Sequence, residues 1–331
     1  MIIVTGGAGF IGSAVVWALN RRGVDDILVV DRLHSGDKWK NLSALKFYDY
    51  LDKEDFIDRL EAGQFASSVD AIIHLGACSS TTERDADYLI ENNYRYTCRL
   101  ADWWEFESRQ RNKDIRFIYA SSAATYGGGE HGYVDDERRI HDLRPLNMYG
   151  YSKHIFDLYA NKRGLLKNIV GLKYFNVFGP NEEHKGDMRS VVSKVFARAR
   201  DEGTISLFKS SHPGYGDGEQ KRDFVYVKDA VEMTLFFLEN HSAGGLYNVG
   251  TGTANTWNSL AAALFGALGK SAHIDYVDMP AELAGKYQYF TQADTGKIRA
   301  AGCKHTCMSL EESVKDYVQG YLLTGKYLGD E

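Results

Sequence analysis

Three glycines near the start of the chain constrain its fold more than any other feature. Gly6, Gly9 and Gly12 follow a short apolar run, Ile2, Ile3 and Val4, and precede Ala14, Val15 and Leu19, which recur with helical spacing. A glycine triplet between a strand and a helix does three jobs. It allows a tight turn, lets backbone approach a pyrophosphate, and lets helix and strand pack closely. The helix then offers free N–H groups and a positive dipole end to an anion. The strand before and the helix after make this a dinucleotide-binding signature rather than a chance glycine turn.

The rest of the first half repeats the pattern. Short continuous apolar runs at 27–30, 70–75 and 116–120 alternate with helical stretches. Such runs read as strands buried on both faces of a parallel sheet. The expected class is α/β: a Rossmann-type doubly wound parallel sheet with a smaller C-terminal substrate-binding domain. After about Phe175 the loops lengthen, notably 181–187 and 210–222. Strand-like pieces follow at 223–227 and 246–249, and helical stretches at 190–200, 230–238 and 259–268. We expect residues 1–172 plus 223–249 to bind the dinucleotide and residues 173–222 plus 250–331 to bind substrate. No linker rich in Gly, Pro or Ser separates the two parts, so they should pack tightly.

Asp31 ends the second apolar run, 19 residues after Gly12. An acid there binds the adenosine ribose hydroxyls. Arg32, Lys38 and Lys40 follow, and these cations could accept a 2′-phosphate, so these residues alone leave NAD and NADP both open. Tyr149 and Lys153 form Y-x-x-x-K, which places both side chains on one helical face. An ammonium beside the phenol favours the phenolate, so the Tyr149 pKa is expected to fall. Tyr149 could then exchange a proton with a substrate hydroxyl while a nicotinamide takes the hydride. Ser121 and Ser122 end the run at 116–120 and can bond the same substrate oxygen. Tyr151 points to another helical face.

The bulk chemistry excludes several classes. A net charge of −6 gives no general field for nucleic acid. Four cysteines form no disulfide scaffold. Cys303, His305 and Cys307 lack a second ligand pair, so no metal is expected. Neither a basic leader nor a run of about 18 apolar residues is present, and the expected location is the cytoplasm.

These residues together resemble the extended short-chain dehydrogenase/reductase family, through TGGAGFIG at 5–12, HLGA at 74–77, the serine pair at 121–122, Tyr149 with Lys153, and NVFGP at 176–180. The resemblance covers nearly the whole chain. Seven longer strings are similar to the epimerases of that family that act on ADP-linked heptoses. They are GACSSTTE at 76–83, YASSAATYG at 119–127, YGYSK at 149–153, YFNVFGP at 174–180, HKG at 184–186, KRDFVYV at 221–227 and FTQAD at 290–294. The resemblance implies Ser122, Tyr149 and Lys153 as catalytic residues, with Lys185 as a second acid/base. It implies NADP as cofactor, held by Gly6, Gly9, Phe10, Ile11, Gly12, Asp31, Arg32, Lys38, Lys53, Leu75, Gly76, Ala77, Cys78, Ser79, Asn92, Lys153, Val177 and Lys185. For an ADP-heptose substrate it implies Asn176, Asp187, Lys194, Phe208, Lys209, Ser210, Ser211, Arg222 and Tyr287. It further implies a homopentamer and a role in making lipopolysaccharide inner-core precursors. The chain departs from the family pattern at Arg32, where Asn is frequent, at Lys194 for His, and at Asp187 for Ser. The segment 128–144 is also longer.

The expected reaction inverts a sugar carbon through a transient ketone. The hydroxyl lies on opposite sides before and after, so two acid/bases fit better than one. Three alternatives stand beside it. A 4,6-dehydratase commonly carries an Asp-Glu pair just after the catalytic hydroxyl residue, where this chain has Ala123 and Ala124. Another nucleotide-sugar 4-epimerase would share the motifs. A non-catalytic NADP-sensing protein could dispense with Tyr149 and Lys153.

Overall fold

The computed structural model describes residues 1–65, 67–110, 113–280 and 287–330. Among these residues the main sheet has seven parallel strands. They are β1 (Ile2–Thr5), β2 (Ile27–Asp31), β3 (Asp49–Asp52), β4 (Ala71–His74), β5 (Arg116–Ser122), β6 (Val170–Tyr174) and β11 (Gly245–Val249). Their order is β11-β6-β5-β4-β1-β2-β3. The order reverses between β1 and β4, which is where open α/β sheets bind ligands beyond their strand C-termini.

Register and side-chain alternation split the sheet into two cores. Ile3 lies opposite Leu28 and Ile72, while Val4 lies opposite Val29 and Ile73. Successive strand residues face opposite ways. Ile3, Leu28, Ile72 and Phe117 therefore pack with Phe56 of α2 (Lys53–Glu61), Leu100 of α4 (Tyr96–Gln110) and Phe156 of α5 (Met148–Lys162). A short helix, α3 (Ala86–Leu89), leads towards α4. Val4, Val29, Ile73 and Ile118 pack with Val15 of α1 (Phe10–Arg21) and Leu235 of α7 (Val227–Glu239). That second core runs on into Phe196 of α6 (Val191–Asp201) and Leu264 of α8 (Trp257–Ala267). Each such side chain contributes about 1.5–3 kcal/mol by leaving water.

The later chain adds short strand pairs over this frame. β7 (Asn176–Phe178) runs parallel to β10 (Phe224–Tyr226), and β8 (Ile205–Phe208) parallel to β13 (Ile274–Val277). β9 (Lys221–Arg222) pairs antiparallel with β12 (Asn255–Thr256). The strand expected over 223–227 is shorter, because α7 begins at Val227. Two strands of the main sheet lie outside the expected runs. β3 is an edge strand of Asp-Tyr-Leu-Asp with no buried residue, so it has no apolar run to show. β6 is fully buried but carries Lys173 in its sequence.

Candidate active site

At the C-terminal end of β1 the backbone turns at Gly6, whose φ is +68° and where a Cβ would stand 2.6 Å from the backbone N of Gly76. At Gly12 a Cβ would stand 2.0 Å from the Gly6 carbonyl oxygen, so only glycine lets α1 approach β1 this closely. No side chain caps the N-terminus of α1 and no acid lies in its first turn. Its N–H groups are thus free to meet a pyrophosphate. Three adjoining cavities open from this turn. One of about 210 Å³ is lined by Gly6, Gly9, Phe10, Ile11, Gly12, Leu75, Gly76, Ala77, Ser79, Lys153 and Lys185.

A second cavity, of about 130 Å³, lies at the β2 end and is lined by Asp31, Arg32, Lys38, Lys53, Cys78 and Asn92 among others. The Asp31 carboxylate is buried and already engaged. It accepts from Ala8 N at 2.9 Å and Arg32 N at 2.6 Å, and it pairs with the Lys38 ammonium. Lys53 donates to Asn92 Oδ1 at 2.5 Å. Lys53 also pairs with Glu54 at 3.1 Å, so this end sets three cations against two carboxylates.

The third cavity, about 320 Å³, is lined by Ser122, Tyr149, Asn176, Val177, Lys185 and Trp257 among others. Asn147 caps α5, accepting from Gly150 N at 2.8 Å, and so sets where the helix starts. Tyr149 and Lys153 then share its inward face, while Tyr151 is exposed. The Ser122 hydroxyl hydrogen-bonds Tyr149, and Lys153 Nζ donates to the Ala120 carbonyl at 2.9 Å. The Tyr149 pKa is not depressed as the motif suggests. Burial raises it, against a lowering by the Ser122 hydrogen bond. Burial pushes the Lys153 ammonium down to about 8, opposed by the Asp157 carboxylate one turn away.

Lys185 lines the same cavity as Tyr149, from a loop that the rest of the chain holds in place. Asn181 sits at φ +74°. Its side chain donates to Ser13 Oγ at 3.0 Å and accepts from Leu328 N at 2.9 Å. Buried Glu182 accepts from Ser190 N at 2.6 Å and Tyr317 OH at 3.0 Å. The Lys185 ammonium lies 4.9 Å from the Phe10 ring centre, and its pKa is lowered by burial.

The residues expected to hold substrate are spread more widely. Asn176 lines the third cavity. Arg222 is buried against Tyr287, 5.0 Å from its ring centre, and Tyr287 accepts from Trp257 Nε1 at 2.8 Å. Trp257 lines the cavity, so Arg222 and Tyr287 stand directly behind its wall. Phe208, Lys209, Ser210 and Ser211 lie further out, Lys209 pairing with Asp278 at 3.0 Å and Ser211 Oγ with Tyr289 OH at 2.7 Å. Asp187 and Lys194 are exposed and absent from the cavity walls.

The pattern of the NAD dependent epimerase/dehydratase family matches residues 2–250. The chain belongs to that family. As an epimerase/dehydratase-family member it uses a nicotinamide cofactor. The chain is 52% identical over 322 residues to the ADP-L-glycero-D-manno-heptose-6-epimerase of Nitratidesulfovibrio vulgaris (strain Hildenborough), covering 97% of this chain and 98% of the relative. Among solved family structures, the ADP-L-glycero-D-manno-heptose-6-epimerase of Helicobacter pylori superposes with a TM-score of 0.78 at 27% identity, covering 96% of this chain and 95% of that one. The UDP-glucose 4-epimerase of Thermus thermophilus, solved with NAD, gives 0.73 at 27% identity over 96% and 97% of the two chains. Among the described residues no helix is long and apolar enough to cross a membrane.

Sequence reasoning missed two clusters. Asp157 and Lys173, both buried, meet beneath Ser121. Away from the cleft, Asp229, His305 and Cys307 each bring a donor atom within 4.8 Å of the others. A 2.8 Å hydrogen bond already joins His305 Nε2 to Asp229. Asp229 is 76 residues from His305, so no local spacing could reveal it.

Proposed function

We propose that this chain inverts the sixth carbon of the heptose in ADP-D-glycero-D-manno-heptose, giving ADP-L-glycero-D-manno-heptose for lipopolysaccharide inner-core synthesis. One observation carries the reading: Tyr149 and Lys185 line the same cavity from different elements, α5 and the loop after β7. Inversion needs an acid/base on each side of a ketone, and this cavity supplies two. A nicotinamide held by the turn after β1 would supply reversible hydride acceptance at the sugar carbon, with no net redox change over the cycle. Tyr149, supported by Ser122 and by the Lys153 ammonium, serves the hydroxyl in one configuration. Lys185 serves it in the other. Asn176 and the Arg222–Tyr287 wall orient the sugar and diphosphate.

NADP is the better fit to the adenosine end. Asp31 is engaged by Lys38 and backbone, so Arg32, Lys38 and Lys53 together leave a positive surplus for a 2′-phosphate. In this reading residues 1–172 plus 223–249 hold the cofactor and the remainder holds the sugar. The protomers assemble as a homopentamer, which light scattering checks.

Two substitutions test the pair. Tyr149→Phe and Lys185→Met should each slow epimerisation by about 10²–10⁴-fold, the usual worth of a positioned acid/base. Each variant should still oxidise one of the two epimers to the ketone, and the two variants should prefer opposite epimers. If neither substitution slows turnover, the two-base reading fails.

A further inference from the structure

Beneath the reacting groups lies a buried charged pair, Asp157 and Lys173, that reaches the cleft only through Ser121 in the cavity wall. Asp157 is fully buried and Lys173 is 1% exposed. Lys173 Nζ meets Asp157 Oδ2 at 2.7 Å. The same carboxylate accepts from Tyr119 OH at 2.8 Å and Ser121 Oγ at 2.7 Å. Lys173 also donates to Thr125 Oγ1 at 2.7 Å and stands 5.1 Å from the Tyr126 ring centre. A buried ion pair costs heavily in desolvation and is weak evidence for stability in itself. A fully hydrogen-bonded one fixes geometry.

The cluster ties together the elements that carry the reaction. Tyr119 and Ser121 belong to β5, whose last residue is Ser122. Asp157 lies one helical turn after Lys153 and two after Tyr149 on α5. Lys173 belongs to β6, next to β5 in the sheet. We propose that Asp157 and Lys173 are positioning residues, a buried pair that locks β5 to α5 and sets the charge that Lys153 feels. This rests on the reading of Tyr149 and Lys153 as the reacting centre.

Lys153 shares its cavity with Tyr149 of its own helix, Asp31 of β2, Lys38 of the loop after it, and His184 and Lys185 of the loop after β7. Asp157 favours its ammonium from the same helix, and Cys78 faces it from the loop after β4. His74 of β4 is buried and held down to about 3, and His154 beside it on α5 to about 4, so both are neutral at pH 7. Lys173 of β6 pairs with the Asp157 carboxylate at 2.7 Å, so its positive charge should offset part of what Asp157 supplies to Lys153. Removing Asp157 should therefore weaken proton binding at Lys153, and removing Lys173 should strengthen it. A merely structural role predicts no such opposition of sign.

The test uses the full chain with NADP bound and lysines labelled at 13Cε. The Lys153 resonance is identified by its loss in Lys153→Met, and NMR follows its titration. Asp157→Asn should lower the midpoint by about one pH unit and Lys173→Met should raise it by about one, as a neighbouring charge does. The double variant should return close to the native value. The alkaline limb of kcat should move with the midpoint while KM stays put. Shifts of the same sign, or no shift, overturn the proposal. Should Asp157→Asn not fold, Lys173→Met and the double variant still decide it. The NMR midpoint needs no turnover, so failure of native protein to epimerise would remove the functional reading and leave this inference separately tested.

Discussion

Arg32, Lys38 and Lys53 crowd the adenosine end, where the buried Asp31 carboxylate pairs with Lys38. Arg32 donates its backbone N–H to Asp31, and in the proposed NADP reading its guanidinium would grip the 2′-phosphate. Arg32→Ala should raise the Kd for NADP by about 10–100-fold, the worth of a charged hydrogen bond, and leave NAD nearly unchanged. Calorimetry with both dinucleotides measures this; equal losses would contradict it. The titration of Lys153 sets a pH limit. Its ammonium, held near 8, dominates below that pH and is lost above it. Turnover should therefore fall as pH rises through about 8. The unfolded chain keeps the ordinary value of 10.5, so it binds more protons between the two, and the fold gains stability from this group as pH rises across that window. Melting temperatures of native protein and Lys153→Met, compared from about pH 7 to about pH 10, should converge. Much at this scale is legible in the sequence, because Y-x-x-x-K and the acid after β2 are local patterns. The raised Tyr149 pKa is not, since burial depends on what packs over α5. Nor is the Asp31–Lys38 pair, since local spacing reads both groups as facing the ligand.

The strand-turn-helix from β1 to α1 and the start of α5 matter most among the elements. Gly12→Ala would press a methyl against the Gly6 carbonyl, 2.0 Å from the ideal Cβ position. The turn must open, so dinucleotide binding should be lost in equilibrium dialysis even where circular dichroism shows a folded chain. Retained binding would mean that the turn has slack which its geometry does not show. Asn147→Ala removes the α5 cap and should cost about 1 kcal/mol of stability, read by urea unfolding. Strands with uninterrupted apolar runs are readable from sequence. β6 is obscured by Lys173, whose partner Asp157 lies 16 residues earlier on another element. β3 is obscured because an edge strand needs no continuous apolar run: beside its pairing with β2, only Tyr50 and Leu51 pack, partly buried, against the two cores.

Across the whole molecule one core serves both parts. Val4 and Val29 of the sheet belong to the same buried cluster as Phe196, Leu264 and Tyr317 of the later chain. Unfolding should therefore be a single transition. NADP at about 100 times its Kd should add about 2.7 kcal/mol to stability, shifting that one transition by calorimetry rather than splitting it. The glycine motif and the apolar runs make this architecture legible, whereas the wall of Arg222, Trp257 and Tyr287 depends on contacts between distant residues. The most direct test of the whole account is to incubate the purified protein with ADP-D-glycero-D-manno-heptose and follow the sugar by NMR. The account predicts that the L-glycero epimer appears with no added reductant and no net change in cofactor. An unchanged sugar, with cofactor shown to be bound, would contradict it.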